Sequence, residues 1–275
     1  MSIIDVTRWL NTPLALRDTA AAELCLRIQQ DIDPLRQSAY EGPPRAQQRS
    51  VPGIGTYDTI DGVAVIPITG VLVHGESYWG EQSYGAISAQ VNAAMADRSV
   101  GAIALQIASP GGEVSGMFDL AEAIYGARDT KPVWAIVDDH AYSAAYALAS
   151  GADRVVMPRT GGVGSIGVLT LHMDLTKALE GAGIKLSFIQ YGERKTDYAP
   201  FRSLSDPARA RLQEDVNAVG EMFVETVARN RGLSRTKVRS TEAGVFMGQA
   251  GIEAGLADAI QSPQEALDAL VRRIS

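Results

Sequence analysis

Cysteine is nearly absent from this sequence. Cys25 is the only one in 275 residues, so no disulfide can form within the chain. Histidine is scarce too: His74, His140 and His172 are scattered, and with one cysteine they make no cluster of the spacing a zinc site requires. Basic residues are outnumbered, 25 Lys and Arg against 32 Asp and Glu, for a net charge of −7. A surface of that sign repels polyanions, which argues against nucleic-acid binding as the main activity. Long apolar runs are missing as well. The longest, VAVIPITGVLV (63–73), is about half of what a bilayer span needs, and the N-terminal stretch carries Asp5, Arg8 and Arg17 where a signal peptide needs an unbroken apolar core. The expectation is a soluble, cytoplasmic protein with no membrane anchor, no metal and no cofactor.

What the chain does have is small and apolar residues in a regular alternation. With 46% hydrophobic and 21% charged residues it can bury a sizeable core. Residues 14–31, LALRDTAAAELCLRIQQD, carry apolar residues at helical spacing and give way to the Gly- and Pro-rich SAYEGPPRAQQRSVPGIG (38–55), a pattern that predicts a helical arm on a linker. From residue 62 the sequence predicts strands at 62–73, 101–108, 132–138, 153–158, 166–173 (IGVLTLHM) and 185–192 (KLSFIQYG). Helices are predicted between them at 85–100, 113–128, 143–150 and 175–183. This alternation is that of an α/β fold with a parallel sheet. A long amphipathic helix follows from Ser205, a capping residue with Pro207 behind it, to Gly232, and short helical pieces close the chain. Three units result: a helical arm and linker over 1–50, a main domain over 51–260, and a helical tail over 261–275.

Three predicted strands end in turns of small residues: ASPGGEVSG (108–116), DDHAYSAAY (138–146) and GGVGSIGV (161–168). In an open parallel sheet the carboxyl ends of the strands are where ligands bind. SPGGE is expected to lead straight into a helix, whose free N–H groups would favour an oxyanion. Ser143, at the start of the next predicted helix, can be a cap or a nucleophile. A hydroxyl at a strand-to-helix turn, opposite a second turn offering N–H donors, is the arrangement acyl transfer uses, and Ala141, Ala144 and Ala145 leave room for a peptide. Three residues could serve as its base. His140 is near in sequence. His172 could act with Asp174 or Asp138 in a triad. Lys195, in the loop YGERKTDYAPF, could act only if its pKa fell from about 10.4 to about 7, which takes about 4 kcal/mol.

The segments ASPGGEVSGMFDLAEAI, KPVWAIVDDHAYSAAYALASGADRVVMPRTGGVGSIGV and YGERKTDYAPFRSLSDPARARLQEDV, followed by MGQAGIEAGLAD, resemble in order and spacing the signal peptide peptidase A family of serine peptidases. The likeness spans about residues 60–260 and is strongest to the branch of phage capsid, or head maturation, proteases of the protein C type. It implies a ClpP/crotonase-like fold built from β-β-α units, and a serine nucleophile served by a lysine base. Carried over, Ser143 is the nucleophile, Lys195 the base, and Ser165 a hydroxyl that holds the lysine amine. The amides of Gly112 (or Gly111) and Ala144 form the oxyanion hole, and His140 and His172 return to structural roles. The resemblance further implies an endopeptidase, homo-oligomeric, acting on capsid scaffold, portal or its own chain in the host cytoplasm or within the prohead. The C-terminal scaffold extension of that branch is missing from a chain that stops at Ser275. Three alternatives remain: a soluble signal peptide peptidase-like protease, a crotonase-type acyl-CoA enzyme, which would leave Ser143 and Lys195 without a role, and a non-catalytic capsid or scaffold component.

Overall fold

The structure, a computed structural model, describes residues 13–16, 56–75 and 80–275. It opens with β1 (Leu14–Leu16), β2 (Asp58–Ile60), β3 (Val63–Val73), β4 (Gln82–Ser83) and α1 (Tyr84–Ala96). Next come β5 (Ala102–Glu113), α2 (Met117–Ala127), β6 (Val133–Tyr142), α3 (Ala144–Ser150), β7 (Arg154–Met157) and β8 (Gly162–Gly164). After α4 (Thr176–Gly181) and a 3-10 turn at Glu193–Thr196, the chain runs through α5 (Asp206–Arg231), α6 (Arg235–Arg239), β9 (Val245–Met247), α7 (Gln249–Ala254), β10 (Ala259–Ile260) and α8 (Pro263–Ile274). Among the described residues no helix is long and apolar enough to cross a membrane.

The sheet runs β10-β7-β6-β5-β3-β2, parallel except for β2 at its edge. Its central strands are apolar on both faces because both are covered. Ile103, Leu105 and Ile107 of β5 and Val133, Ala135 and Val137 of β6 join one core with Ile87 of α1, Leu120 and Ile124 of α2, Tyr146 of α3 and Phe223 and Val227 of α5. The alternate residues Ala102, Ala104, Trp134 and Ile136 face the other way, onto Ala266 and Leu270 of α8. The α/β architecture and its parallel core are those the sequence predicts. Helix α5 is bounded as expected: Ser205 Oγ accepts from the Ala208 amide, Pro207 lies in the first turn and Gly232 takes φ 64° at the end.

Three expectations are corrected. Residues 14–16 are a strand and not the start of a helix; Pro13 lacks an N–H, and Leu14–Leu16 pair antiparallel with Gly111–Glu113 of β5, so tertiary pairing overrides local propensity. The rest of the predicted arm and linker lies outside the described residues. Residues 166–173 form no strand beyond a single bridge between Leu169 and Leu14. Residues 185–192 form none either: they are exposed, and Ile189 and Tyr191 stand fully in solvent.

Two irregularities redirect the ends of the central strands. Along β5 and β6 the pairing passes from Ile107 opposite Val137 to Ser109 opposite Ala141, so β6 advances four residues while β5 advances two. Along β3 and β5 it passes from Thr69 opposite Ala108 to Val71 opposite Gly111, leaving one extra residue in β5. Ser109 Oγ closes that bulge, donating to the Gly70 carbonyl at 2.7 Å and accepting from the Gly111 amide at 3.2 Å. Beyond Ser109 and Ala141 the two strands part: β5 keeps β3 and gains β1, and β6 pairs with β8.

Helix α3 is buried along its whole length and held by polar contacts from two sides. Asn230 Nδ2 of α5 donates to Ser150 Oγ at 3.0 Å, and Tyr146 OH donates to the Leu256 carbonyl at 2.9 Å. Burial pushes the Tyr146 phenol well above its ordinary pKa. Tyr146→Phe would leave that carbonyl buried without its donor and is expected to cost about 1–3 kcal/mol. The measurement is a urea titration, with a lowered midpoint and unchanged slope.

Candidate active site

Ser143 joins β6 to α3, and its backbone is the most unusual feature of the region. With φ 53° and ψ −119° it lies where L-residues are strained, and its amide donates to the Gly164 carbonyl of β8 at 2.8 Å. A strained strand-to-helix turn carrying a serine is the geometry of a nucleophile elbow, and Ser143 is fully buried there. Ser143 makes no capping bond to its own helix, which answers the choice between cap and presented hydroxyl against the cap. Ser143 Oγ donates at 3.5 Å to the Gly167 carbonyl, a long and weak hydrogen bond.

The same turn brings other predicted residues alongside. Ala144 is the first residue of α3, where an amide has no partner within the helix. The last pair between β5 and β6 is Ser109 with Ala141, so the Gly111–Gly112 segment of β5 follows two residues beyond the point where β6 leaves it for the Ser143 turn. The expectation that SPGGE opens a helix is corrected: β5 continues to Glu113, and α2 begins only at Met117, behind Gly116. Any oxyanion donor from SPGGE is therefore a strand amide and not that of a helix terminus. Gly111 N–H is taken by Ser109 Oγ, which leaves Gly112 as the candidate donor of the two. Glycine is required at 112 for packing, since a Cβ there would lie 1.9 Å from the Leu72 carbonyl oxygen.

Ser165 follows β8 directly, in a strained conformation at φ 56°, with its amide bonded to the Gly244 carbonyl at 2.8 Å. It is nearly buried and flanks the Ser143 turn through the pairing of Gly164 with Tyr142. Lys195 is not brought to this cluster. It is exposed on the Glu193–Thr196 turn, and among the described residues no hydrogen bond joins it to Ser143 or Ser165. Its turn is nonetheless fixed: Thr196 Oγ1 donates to Gln190 Oε1 at 2.7 Å and accepts from Arg202 at 2.8 Å, and Asp197 pairs with Arg211 of α5.

The histidines are engaged elsewhere. His140 Nδ1 lies 2.8 Å from Asp139 Oδ2, with its ring stacked on Tyr142. His172 interacts electrostatically with Asp174, whose carboxyl is pulled down to about 2 chiefly by hydrogen bonds from Thr176 and Ser203. Neither ring bonds Ser143. The backbone amide of His74 donates to Glu113 at 2.7 Å. Sequence reasoning missed two features: the Ser109 hydroxyl that sets the β5 bulge, signalled only by the proline after it, and the pairing of β1 with Gly111–Glu113, signalled only by Pro13.

Strain at Ser143 has a measurable consequence. Glycine adopts this region freely, whereas alanine keeps the strain. Ser143→Gly is therefore expected to be more stable than Ser143→Ala by about 1 kcal/mol, after glycine's own entropy cost is set against about 2 kcal/mol of relief. Paired denaturant titrations of the two variants test this, and equal midpoints would show an unstrained turn.

Residues 126–273 match the model of peptidase family S49. Head-tail preconnector protein GP5 of Enterobacteria phage P21 is 40% identical over 223 residues, 80% of this chain and 44% of that protein. Capsid assembly protease C of Escherichia phage lambda is 38% identical over 261 residues, 91% of this chain and 58% of the relative. The chain thus spans about half the length of these relatives. Among solved structures, a ClpP1 mutant from Listeria monocytogenes is similar with a TM-score of 0.47 at 11% identity, over 74% of this chain and 94% of that one.

Proposed function

Because the chain belongs to peptidase family S49, we propose that it is a serine endopeptidase of phage or prophage capsid assembly, with Ser143 as nucleophile. The observation that carries this reading is the strained turn at Ser143, which presents a hydroxyl beside the Ala144 amide and the edge of β5. In the reaction Ser143 Oγ attacks a scissile carbonyl, and the Gly112 and Ala144 amides hold the oxyanion. The leaving amine departs protonated, and water then releases the acyl-enzyme. The small residues at 141, 144 and 145 suit a shallow pocket and a small side chain on the acyl side of the cut. The relative's name, capsid assembly protease, supports a protein of capsid assembly as the substrate, with scaffold, portal or the chain itself as the proposed targets.

Lys195 is the base in this proposal, with Ser165 orienting its amine, and both need the 184–196 segment to dock. That segment leaves Ile184, Leu186, Phe188, Ile189 and Tyr191 in solvent, all within the dozen residues that precede Lys195. A large apolar surface of this kind marks a contact site. We infer that a second copy of the chain covers it, which would remove water from the lysine turn and make the protein a homo-oligomer. Ile189→Asp is expected to shift the protein toward monomer by light scattering at micromolar concentration; an already monomeric wild type would overturn the oligomer.

The test of the catalytic assignment is covalent labelling by a fluorophosphonate, read by intact mass. Labelling is expected in the wild type, lost in Ser143→Ala and slowed at least about 100-fold at pH 7 in Lys195→Ala. Labelling that survives Lys195→Ala and disappears in His172→Ala would move the base to histidine. No labelling of the wild type would favour a non-catalytic capsid component.

A further inference from the structure

The strand β1 lies in the place a peptide substrate would take. Its carbonyls and amides are bonded on both sides. On one side Leu14–Leu16 run antiparallel to β5, with Leu14 opposite Glu113, Ala15 opposite Gly112 and Leu16 opposite Gly111. On the other, Leu14 N–H donates to the Leu169 carbonyl at 2.8 Å and the Leu169 amide returns the bond at 2.9 Å. Two residues before Leu169 is Gly167, whose carbonyl accepts the Ser143 hydroxyl. The segment is therefore a three-residue strand clamped between the candidate oxyanion strand and the segment that touches the nucleophile. This is strand addition to a sheet edge, the way proteases and peptide-binding domains hold extended chains.

The ladder fixes which carbonyl meets which amide. Val114 N–H donates to the Pro13 carbonyl at 3.3 Å, so Pro13 and Val114 are a hydrogen-bonded pair. Bonded and non-bonded pairs alternate along an antiparallel ladder, which makes Leu14 with Glu113 non-bonded and Ala15 with Gly112 the next bonded pair. The carbonyl facing the Gly112 amide is thus that of Ala15. Chain direction agrees: from Pro13 to Leu16 the segment runs along β5 toward Ser109, whose pairing with Ala141 leads to Ser143. The Leu14 side chain is fully buried against Val71, Val73 and Leu169, an apolar pocket one residue upstream.

We propose that the Ala15–Leu16 peptide bond is a self-cleavage site, held in substrate register by the chain's own N-terminal segment. The proposal rests on the serine endopeptidase reading above. Ser143 Oγ bonds to the Ala15 carbonyl carbon, the C–N bond to Leu16 breaks, and the Leu16 nitrogen leaves as an amine carrying the proton from the serine. Water then adds to the ester, freeing a carboxylate on Ala15 and restoring Ser143. Residues 1–15 depart as a peptide and the groove opens to other substrates. The same register defines the substrate class: an extended chain with a small residue at the cut and a leucine-sized apolar residue one position before it.

Intact-mass analysis of the purified full chain over time tests this. The expected result is conversion of the wild type to a chain beginning at Leu16, with no conversion in Ser143→Ala or Ser143→Gly. Leu14→Asp, which places a charge in the Val71, Val73 and Leu169 pocket, is expected to slow the cut at least tenfold without slowing fluorophosphonate labelling of Ser143. A wild type that labels at Ser143 yet stays full length, or is cut at another bond, overturns the self-cleavage site and leaves the peptidase reading intact. A wild type that neither labels nor cuts overturns both, and a cut that persists in Ser143→Ala assigns it to another protease and overturns the proposal.

Discussion

The arrangement depends on one mismatch in strand length. Between Ile107 and Ser109 the neighbouring β6 uses two residues more than β5 does, and the parallel ladder cannot absorb them without bending. Asp138 and Asp139 carry the excess outward into solvent, while Ala141 returns to the core opposite Ser109. That return aims β6 so that its next residue but one is Ser143, just beyond the last β5 pair at Ser109. The second bulge, closed by the Ser109 hydroxyl on Gly70, shifts the register on β3 by one residue, while the departure of β6 after Ala141 leaves Gly111–Glu113 able to accept β1.

Holding Ser143 in a strained conformation requires surroundings that over-determine it. The turn is fixed on three sides: β8 through the Gly164 carbonyl, α3 through its burial, and β5 through Ala141. Helix α3 has no exposed residue, and the polar groups it takes into the core are paired, Ser150 with Asn230 and Tyr146 with the Leu256 carbonyl. A core packed this closely transmits little slack, so the hydroxyl's position is set by elements distant in sequence. The other half of the proposed dyad follows the opposite logic. Lys195 sits on an exposed turn that follows the exposed apolar residues of 184–191, and in the proposed oligomer a second copy would supply its environment.

Much of the fold was legible in the sequence because periodicity and burial go together. Alternating Ile, Leu and Val in 102–108 and 133–137 gave β5 and β6, and Ser205, Pro207 and Gly232 gave the ends of α5. The reading failed where local preference and available partners disagree. KLSFIQYG has the pattern of a strand but no edge to join within the described residues, and residues 14–16 have helical spacing but found a free strand edge at Gly111–Glu113. Propensity describes what a segment can form alone, and pairing depends on what else is nearby.

The sequence by itself determined the sheet's apolar strands, the helix caps, and the chemical types gathered in the small-residue turns at Ser109, Ser143 and Ser165. These are local properties, set by side-chain volume, hydroxyl chemistry and backbone freedom. Only the tertiary structure decided that SPGGE is a strand edge and not a helix start, that Gly112 and not Gly111 is the candidate donor, and that Ala15 stands opposite it. Those outcomes follow from register, and register is fixed by bulges and hydrogen bonds between residues about one hundred positions apart in the chain, which no local pattern encodes.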